Sequence, residues 1–323
     1  MAAPSFFKFV PGRSRELTLV FSQCFVAPGQ FAIERTLKDY PHPTLFLNTV
    51  DNDFYQHGVP TLGTSVEETV QVLKASAQRL SASHIRCVGM SMGASAAILF
   101  GALLNADCVV AVGPELQIGL PCHRSHYHNR DRRFVAEHQD LVPHALALGP
   151  RLQMTFPAYD LGDWLHAGMA EQAGLAYHFM RQFHSGGQSI DWPGLLGSSI
   201  DRTDLASHLT TRTTGRISLE LLRQGASAHE AFCRREHARA CDLAMAVHAA
   251  APLAGLAFFI AANLFCQNRV GEADDWLRRA LVLDEEGHVR PARFDYDYSH
   301  FLPNRERALM RERLSILRGL SRG

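Results

Sequence analysis

The sequence lacks an excess of charge, paired cysteines and any hydrophobic run long enough to span a membrane. Its 32 basic and 32 acidic side chains balance, which gives no electrostatic indication of a nucleic-acid partner or an anionic membrane surface. The seven cysteines include no CxxC pair, which argues against a disulfide framework and predicts a reducing compartment. The longest apolar segments, around 252–266 and 93–104, are shorter than a transmembrane helix.

The amino-terminal segment MAAPSFFKFVPGRSR also lacks the apolar core of a signal peptide, because Lys8 and Pro11 interrupt it. We therefore expect a soluble cytoplasmic protein. The sequence contains neither GxxxxGK[ST] nor a GxGxxG after a strand, so no nucleotide site is indicated and no cofactor is predicted. At 323 residues, of which 46% are hydrophobic, the chain is long enough for one large or two modest domains.

Short apolar segments alternate with helical patterns over the first part of the chain. Ser65 and Glu68 have the spacing of a capping box, which predicts that a helix begins there. The alternation predicts an α/β fold, with a mostly parallel sheet covered by helices on both faces. The predicted strands are 17–23, 43–50, 85–90, 108–114, 152–157 and 176–183.

The strand pattern stops near residue 200 and helical periodicity follows it. We predict two domains, an α/β domain at 1–200 and an all-helical region at 201–323. Residues 115–150 form a long polar insert in the first domain, in the position of a lid over a site.

The segment LFCQNRVGEADDWLRRALVLDEE resembles one tetratricopeptide-type repeat, with small residues where its helices would approach closely. One repeat cannot bury its own face, so we expect a preceding helix pair at about 217–249 to stack on it. The alternative is an ordinary helical hairpin with alanine packing.

The pentapeptide Gly89-Met90-Ser91-Met92-Gly93 fits the pattern GxSxG. A predicted strand ends before it and a predicted helix begins after it, which is the context of a nucleophile elbow. The turn holds the serine in a strained conformation, and the helix N-terminus directs N–H groups at a developing oxyanion. Ser91 is therefore the predicted nucleophile, the alternative being a polar residue at a strand–helix junction.

With this motif in context, residues 5–195 resemble the α/β-hydrolase superfamily. The segments DNDFYQHG, GMSMGASAAILFG and DLGDWLHA more loosely resemble small bacterial hydrolase-like proteins encoded with surface-polysaccharide genes. The superfamily resemblance implies that Met92 supplies one backbone oxyanion donor. The second donor would come from the loop after the strand at 17–23, from Ser22, Gln23 or Cys24, although no HGGG-type motif occurs there.

The superfamily order of nucleophile, acid and histidine implies the other two members of a triad. Asp160 lies just beyond the strand at 152–157 and is the preferred acid, with Asp163 as the alternative unless it only caps a helix. His184 follows the next strand within FHSGG and is the implied base. His166 and His178 are weaker candidates, because one lies within a predicted helix and the other within a predicted strand.

Two further groups of residues are candidates for substrate contacts. Asp51, Asp53 and Tyr55 follow a strand on the edge where α/β sheets bind ligands, and Arg132 lies in the insert. Turn capping and a surface Asp–Arg pair are the alternatives. The insert is also rich in histidine and contains Cys122, but the spacing matches no standard zinc pattern and no metal is predicted.

Taken together, the sequence favours a serine esterase or deacylase that acts on a small or glycan-linked ester through an acyl-enzyme. The same triad would serve a serine-dependent acyltransferase. A third hypothesis is a non-catalytic, hydrolase-like adaptor that binds a protein partner through its carboxyl-terminal helices.

Overall fold

A computed structural model describes residues 5–129, 133–184, 189–293, 302 and 304–320. The chain divides into two compact units. The first unit comprises Met1–Phe156, Met169–His178 and Ser185–Arg212, and the second comprises Pro157–Gly168, Phe179–His184 and Thr213–Gly323. This division differs from the predicted boundary at residue 200, because two short segments before that residue group with the helices.

The first unit is built on a mostly parallel sheet flanked by helices, which confirms the predicted fold class. Its strand order is β1-β3-β2-β4-β5-β6, with every pair parallel except the edge pair of β1 and β3. Strand β1 was not predicted, because its side chains are partly exposed. The strands are β1 Phe7–Val10, β2 Glu16–Phe21, β3 Thr44–Leu47, β4 His84–Met90, β5 Cys108–Val112 and β6 Leu152–Pro157.

Among the described residues up to 197, six α-helices alternate with or follow these strands. Ser65 caps α1 as predicted, since its Oγ accepts the Glu68 N–H at 3.2 Å. The Glu68 carboxylate binds the N–H of Thr64 at 2.8 Å, so the capping box is one residue out of the predicted register. The helices are α1 Val66–Arg79, α2 Met92–Leu104, α3 Arg124–His128, α4 Val142–Leu148, α5 Leu161–Gln172 and α6 Trp192–Gly197.

Helix α2 is the most deeply buried helix of the first unit and packs on β4 and β5. Small side chains permit this close approach. A Cβ at Gly93 would lie 2.2 Å from the carbonyl oxygen of Phe21, and one at Gly101 would lie 2.5 Å from Cγ2 of Val109. Burial on all sides explains why α2 is apolar around its circumference rather than along one stripe.

The second unit contains a run of helices and, except for His178, a short antiparallel pair of strands. The pair joins β7 to β8, with Phe179 opposite Thr214. The sequence analysis missed β8 because it has only two residues. The elements are β7 His178–Met180, β8 Thr213–Thr214, α7 Leu219–Cys233, α8 His237–Ala250, α9 Ala254–Cys266, α10 Val270–Leu283 and α11 Asn304–Leu320.

Helices α7 to α10 are joined by short connections, and each packs on the next. Arg313 of α11 binds the buried Asp274 of α10, with Nε 3.0 Å from Oδ1. The predicted helix pair at 217–249 corresponds to α7 and α8, while the tetratricopeptide resemblance stays a prediction. Among the described residues, no helix is long and apolar enough to cross a membrane.

Candidate active site

Ser91 occupies a sharp turn between β4 and α2. Its φ of 52° and ψ of −123° lie outside the regions that L-residues ordinarily adopt. Its N–H donates to the carbonyl of Val112 at 2.8 Å, and its own carbonyl accepts the N–H of Ala94 at 2.9 Å. Such backbone strain persists only where neighbouring structure enforces it, and it concentrates at functional sites.

The glycines on either side of Ser91 are required by close backbone contact. A Cβ at Gly89 would lie 1.9 Å from the carbonyl oxygen of Gly93, and Gly93 itself packs on Phe21. No side chain fits at either position. The GxSxG spacing is therefore a consequence of how tightly the turn is folded, as in a nucleophile elbow.

The loop after β2 lies beside the start of α2, where an oxyanion hole is expected. Cys24 Sγ is 3.8 Å from Met92 Sδ. Ser22 is unsuited as a donor, because its N–H already binds the carbonyl of Leu47 at 3.0 Å. Within the part of the chain that the structure describes, no other residue is found to accept the N–H of Gln23, Cys24 or Met92. These three N–H groups are the candidates for oxyanion donors.

Cys24 also carries a thiol, which could in principle act as a nucleophile. Burial raises the pKa of its thiol, and the negative charge of Glu115 raises it further. The thiol is therefore neutral at physiological pH and does not compete with a serine as nucleophile.

The loop after β3 supports the loop after β2. Asp53 is buried and accepts from Thr49 Oγ1 at 2.7 Å and from the Tyr55 N–H at 2.8 Å. Burial raises the pKa of the Asp53 carboxyl, and these hydrogen bonds partly oppose the shift. Tyr55 is fully buried, and its hydroxyl lies 3.1 Å from the carbonyl of Ser22. Both side chains bind protein groups, so their predicted contact with substrate stays a prediction, as does that of the exposed Asp51.

Asn52 was not identified from the sequence, although it connects two parts of the site. Its Oδ1 accepts the N–H of Phe25 at 2.8 Å, and its Nδ2 donates to the carbonyl of His128 at 3.3 Å. Asn52 and Phe25 both have a positive φ, at 54° and 64°. Asn52 thus joins the loop after β2 to the insert, and the sequence signal for it is only that asparagine tolerates this backbone conformation.

The insert at 115–150 is anchored at its start to helix α2. Ser95 lies one turn beyond Ser91, and its Oγ bonds to both the N–H and the carbonyl of Glu115 at 3.0 Å. The buried Glu115 carboxylate in turn accepts the Ser125 N–H at 2.9 Å at the start of α3. Arg132, the predicted substrate contact of the insert, lies outside the described residues.

In the second unit, Asp163 and His184 form a buried pair. The two Asp163 carboxylate oxygens lie 3.0 and 2.9 Å from His184 Nδ1. Asp163 is 0% exposed and His184 is 5% exposed. A carboxylate on Nδ1 fixes the imidazole tautomer and leaves Nε2 as a base.

Asp160, which the sequence analysis preferred as the acid, has another partner. Its Oδ1 accepts the Gly162 N–H at 2.9 Å, which is a capping contact at the start of α5. Asp163, the alternative acid, is the aspartate whose carboxylate lies on His184 Nδ1, and the identity of the triad acid stays a prediction. The preference for Asp160 rested on proximity to a strand end, whereas Asp163, in the first turn of α5, carries the carboxylate that contacts His184.

Ser91 belongs to the first unit, whereas Asp163 and His184 belong to the second. His166 lies one turn after Asp163 on α5 and is also buried, whereas His178 is exposed at the start of β7. The described residues therefore include a strained serine turn, N–H groups at Gln23, Cys24 and Met92 that have no acceptor among them, and a carboxylate–imidazole pair.

The sequence matches no protein-family model and no curated protein. The structure is similar to the capsule O-acetyltransferase of Neisseria meningitidis serogroup A, with a TM-score of 0.41 at 11% identity over 54% of this chain and 80% of that chain. For the serine hydrolase FphF of Staphylococcus aureus, the TM-score is 0.39 at 13% identity over 55% and 86%. For the metagenome-derived lipolytic enzymes LipS and LipT, it is 0.40 at 11% identity over 64% and 98%.

Proposed function

We propose that this protein is a serine hydrolase that cleaves an ester through an acyl-enzyme. Ser91 is the nucleophile, His184 the base and Asp163 the acid that orients the base. The observation that carries the proposal is the strained backbone of Ser91, enforced by Gly89 and Gly93. The buried Asp163–His184 pair supports it independently, because an acid on Nδ1 has the geometry that a triad requires.

In the proposed reaction, His184 Nε2 takes the Ser91 proton as Oγ attacks the substrate carbonyl carbon. The negative charge on the carbonyl oxygen is stabilised by the N–H group of Met92 and by that of Gln23 or Cys24. His184 then gives the proton to the leaving alcohol as the ester C–O bond breaks. Water attacks the acyl-enzyme by the same route and releases the acid.

The proposed substrate is a small or glycan-linked ester. If the acyl-enzyme passed its acyl group to another hydroxyl instead of water, the same residues would serve an acyltransferase. The two products separate these activities: hydrolysis releases free acid, whereas transfer lowers its yield when an alcohol is added. A non-catalytic adaptor that binds a partner through its carboxyl-terminal helices would form neither the free acid nor the transferred ester.

The test is the reaction of the wild-type protein with a fluorophosphonate probe, followed by intact mass and peptide mapping. We expect one adduct per chain, located on Ser91, because only an activated serine attacks such a probe. Heat-denatured protein is the control and should stay unlabelled. A folded protein without an adduct, or with an adduct elsewhere, would refute the proposal and turn attention to binding by the carboxyl-terminal helices.

Asn52 gives a test of the loop after β2, which would supply the second oxyanion donor. Asn52→Ala removes the acceptor for the Phe25 N–H, and we expect the acylation rate to fall by about 10- to 100-fold because the loop moves. Asn52→Asp keeps an oxygen that accepts the Phe25 N–H but loses the N–H donor to the His128 carbonyl, so we expect most of the rate to remain. The measurement is kcat/KM for a short chromogenic ester. Equal rates for the two variants would show that the bond to Phe25 does not position the loop.

A further inference from the structure

The residues next to Asp163 and His184 in the chain pack against the carboxyl-terminal helices. Asp163 lies in the segment 157–168 and His184 in the segment 179–184, and both segments belong to the same compact unit as α7 to α11. Within this unit, α7 contacts the neighbour of Asp163, and α9 contacts the neighbour of His184. The helices thus reach both members of the pair through one intervening residue each.

The contact on the acid side joins Trp164 to Gly225 of α7. Trp164 directly follows Asp163, is 0% exposed, and donates from Nε1 to the carbonyl of Ala158 at 3.2 Å. A Cβ at Gly225 would lie 2.4 Å from Cε3 of this indole. Because the indole is enclosed and hydrogen-bonded, it has little room to yield, and a movement of Trp164 would displace Asp163.

The contact on the base side joins Phe183 to Phe258 of α9. Phe183 directly precedes His184, and its ring lies 5.3 Å from that of Phe258 and 5.6 Å from that of Tyr159. Helix α9 also contacts Tyr159 itself, since a Cβ at Gly255 would lie 2.2 Å from its Cα. The Tyr159 N–H donates to the Gln182 carbonyl at 3.1 Å, which links these residues to the chain that carries His184.

We propose that Gly225 and Phe258 are positioning residues for the Asp163–His184 pair, so that the carboxyl-terminal helices are part of the catalytic machinery. The inference rests on the proposed function for its effect on rate, and on the contacts above for its effect on geometry. A displacement of about 1 Å at a reacting group lowers a rate by about 100-fold, so packing one residue away is sufficient to control it.

The test compares two identical substitutions at adjacent positions of α9. Phe258→Leu removes the ring that contacts Phe183. Phe259→Leu removes an equally buried ring that lies 5.3 Å from Phe232 of α7. We expect both variants of the full chain to fold with similarly lowered Tm. Only Phe258→Leu should slow fluorophosphonate labelling, by about 10- to 100-fold with the probe concentration at saturation.

A second readout does not depend on catalysis. A proton shared between His184 Nδ1 and Asp163 in a buried site gives a low-field proton NMR resonance, which Asp163→Asn should abolish and thereby assign. We expect Phe258→Leu to shift or broaden this resonance and Phe259→Leu to leave it unchanged. If the wild-type protein is never labelled, the proposed function fails, and this resonance alone decides whether the helices position the pair.

The inference is overturned if Phe258→Leu keeps the wild-type rate and resonance, or if both leucine variants change them equally. If Phe258→Leu does not fold, Gly225→Ala replaces it, with Gly271→Ala as its control. A Cβ at Gly271 in α10 meets nothing within 4 Å. We then expect slower labelling and an altered resonance for Gly225→Ala alone, and unchanged values in that variant would overturn the inference.

Discussion

Replacing Asp163 by asparagine is expected to lower kcat/KM by about 10⁴-fold, whereas the same replacement at Asp160 should leave it close to the wild-type value. Asparagine at 163 would place an amide against His184 Nδ1, and the imidazole would be held in the wrong tautomer. At 160, asparagine keeps the oxygen that accepts the Gly162 N–H and is itself a favoured capping residue. Steady-state hydrolysis of a short chromogenic ester measures both effects.

The comparison is informative because the two substitutions remove the same charge from the same short segment. Circular dichroism and Tm should show that both variants are folded. A loss of rate in Asp160→Asn with retention in Asp163→Asn would reverse the assignment of the acid. Equal, small losses in both would mean that neither aspartate orients the base.

Gly89→Ala is expected to destabilise the protein by more than about 4 kcal/mol, enough to prevent recovery of folded protein. The added methyl group would lie 1.9 Å from the carbonyl oxygen of Gly93. Gly93 cannot retreat, because it packs on the backbone of Phe21, where a Cβ would lie 2.2 Å from the carbonyl oxygen. The added methyl group would therefore clash with the backbone of Gly93, which is itself held by the backbone of Phe21. No side-chain rotation can relieve such a clash.

The matched control is Gly197→Ala, at the end of α6, where a Cβ meets nothing within 4 Å. Alanine there should be neutral or slightly stabilising, since it reduces the freedom of the unfolded chain. Soluble yield and urea unfolding at equilibrium measure the difference. A Gly89→Ala variant with the urea midpoint of the wild type would mean that the turn at Ser91 is wider than described.

The sequence predicted best where local chemistry determines the structure. Helix α2 begins directly after Ser91, as the GxSxG context predicted, and Asn105 terminates it in a left-handed conformation. The strands β4 to β6 were recognised as short apolar segments. In contrast, β1 was missed because an exposed edge strand lacks that pattern, and β8 because two residues carry no periodicity.

The features that the sequence did not predict depend on contacts between distant residues. The choice between Asp160 and Asp163 depends on which carboxylate reaches a loop about twenty residues later. The role of Asn52 depends on a left-handed conformation at Phe25. The need for glycine at 225 depends on an indole sixty residues earlier in the chain. None of these features produces a local sequence pattern, because each depends on a residue that is in contact in the fold but distant in the sequence.

The division of the chain has a consequence for protein synthesis. The chain passes between the two units five times, after residues 156, 168, 178, 184 and 212. Ser91, Asp163 and His184 leave the ribosome well before α9, on which Phe183 packs. A nascent chain that already contains all three side chains therefore lacks the packing that fixes His184. If the proposed function holds, ester cleavage should therefore begin only after α9 has been synthesised and has packed on Phe183.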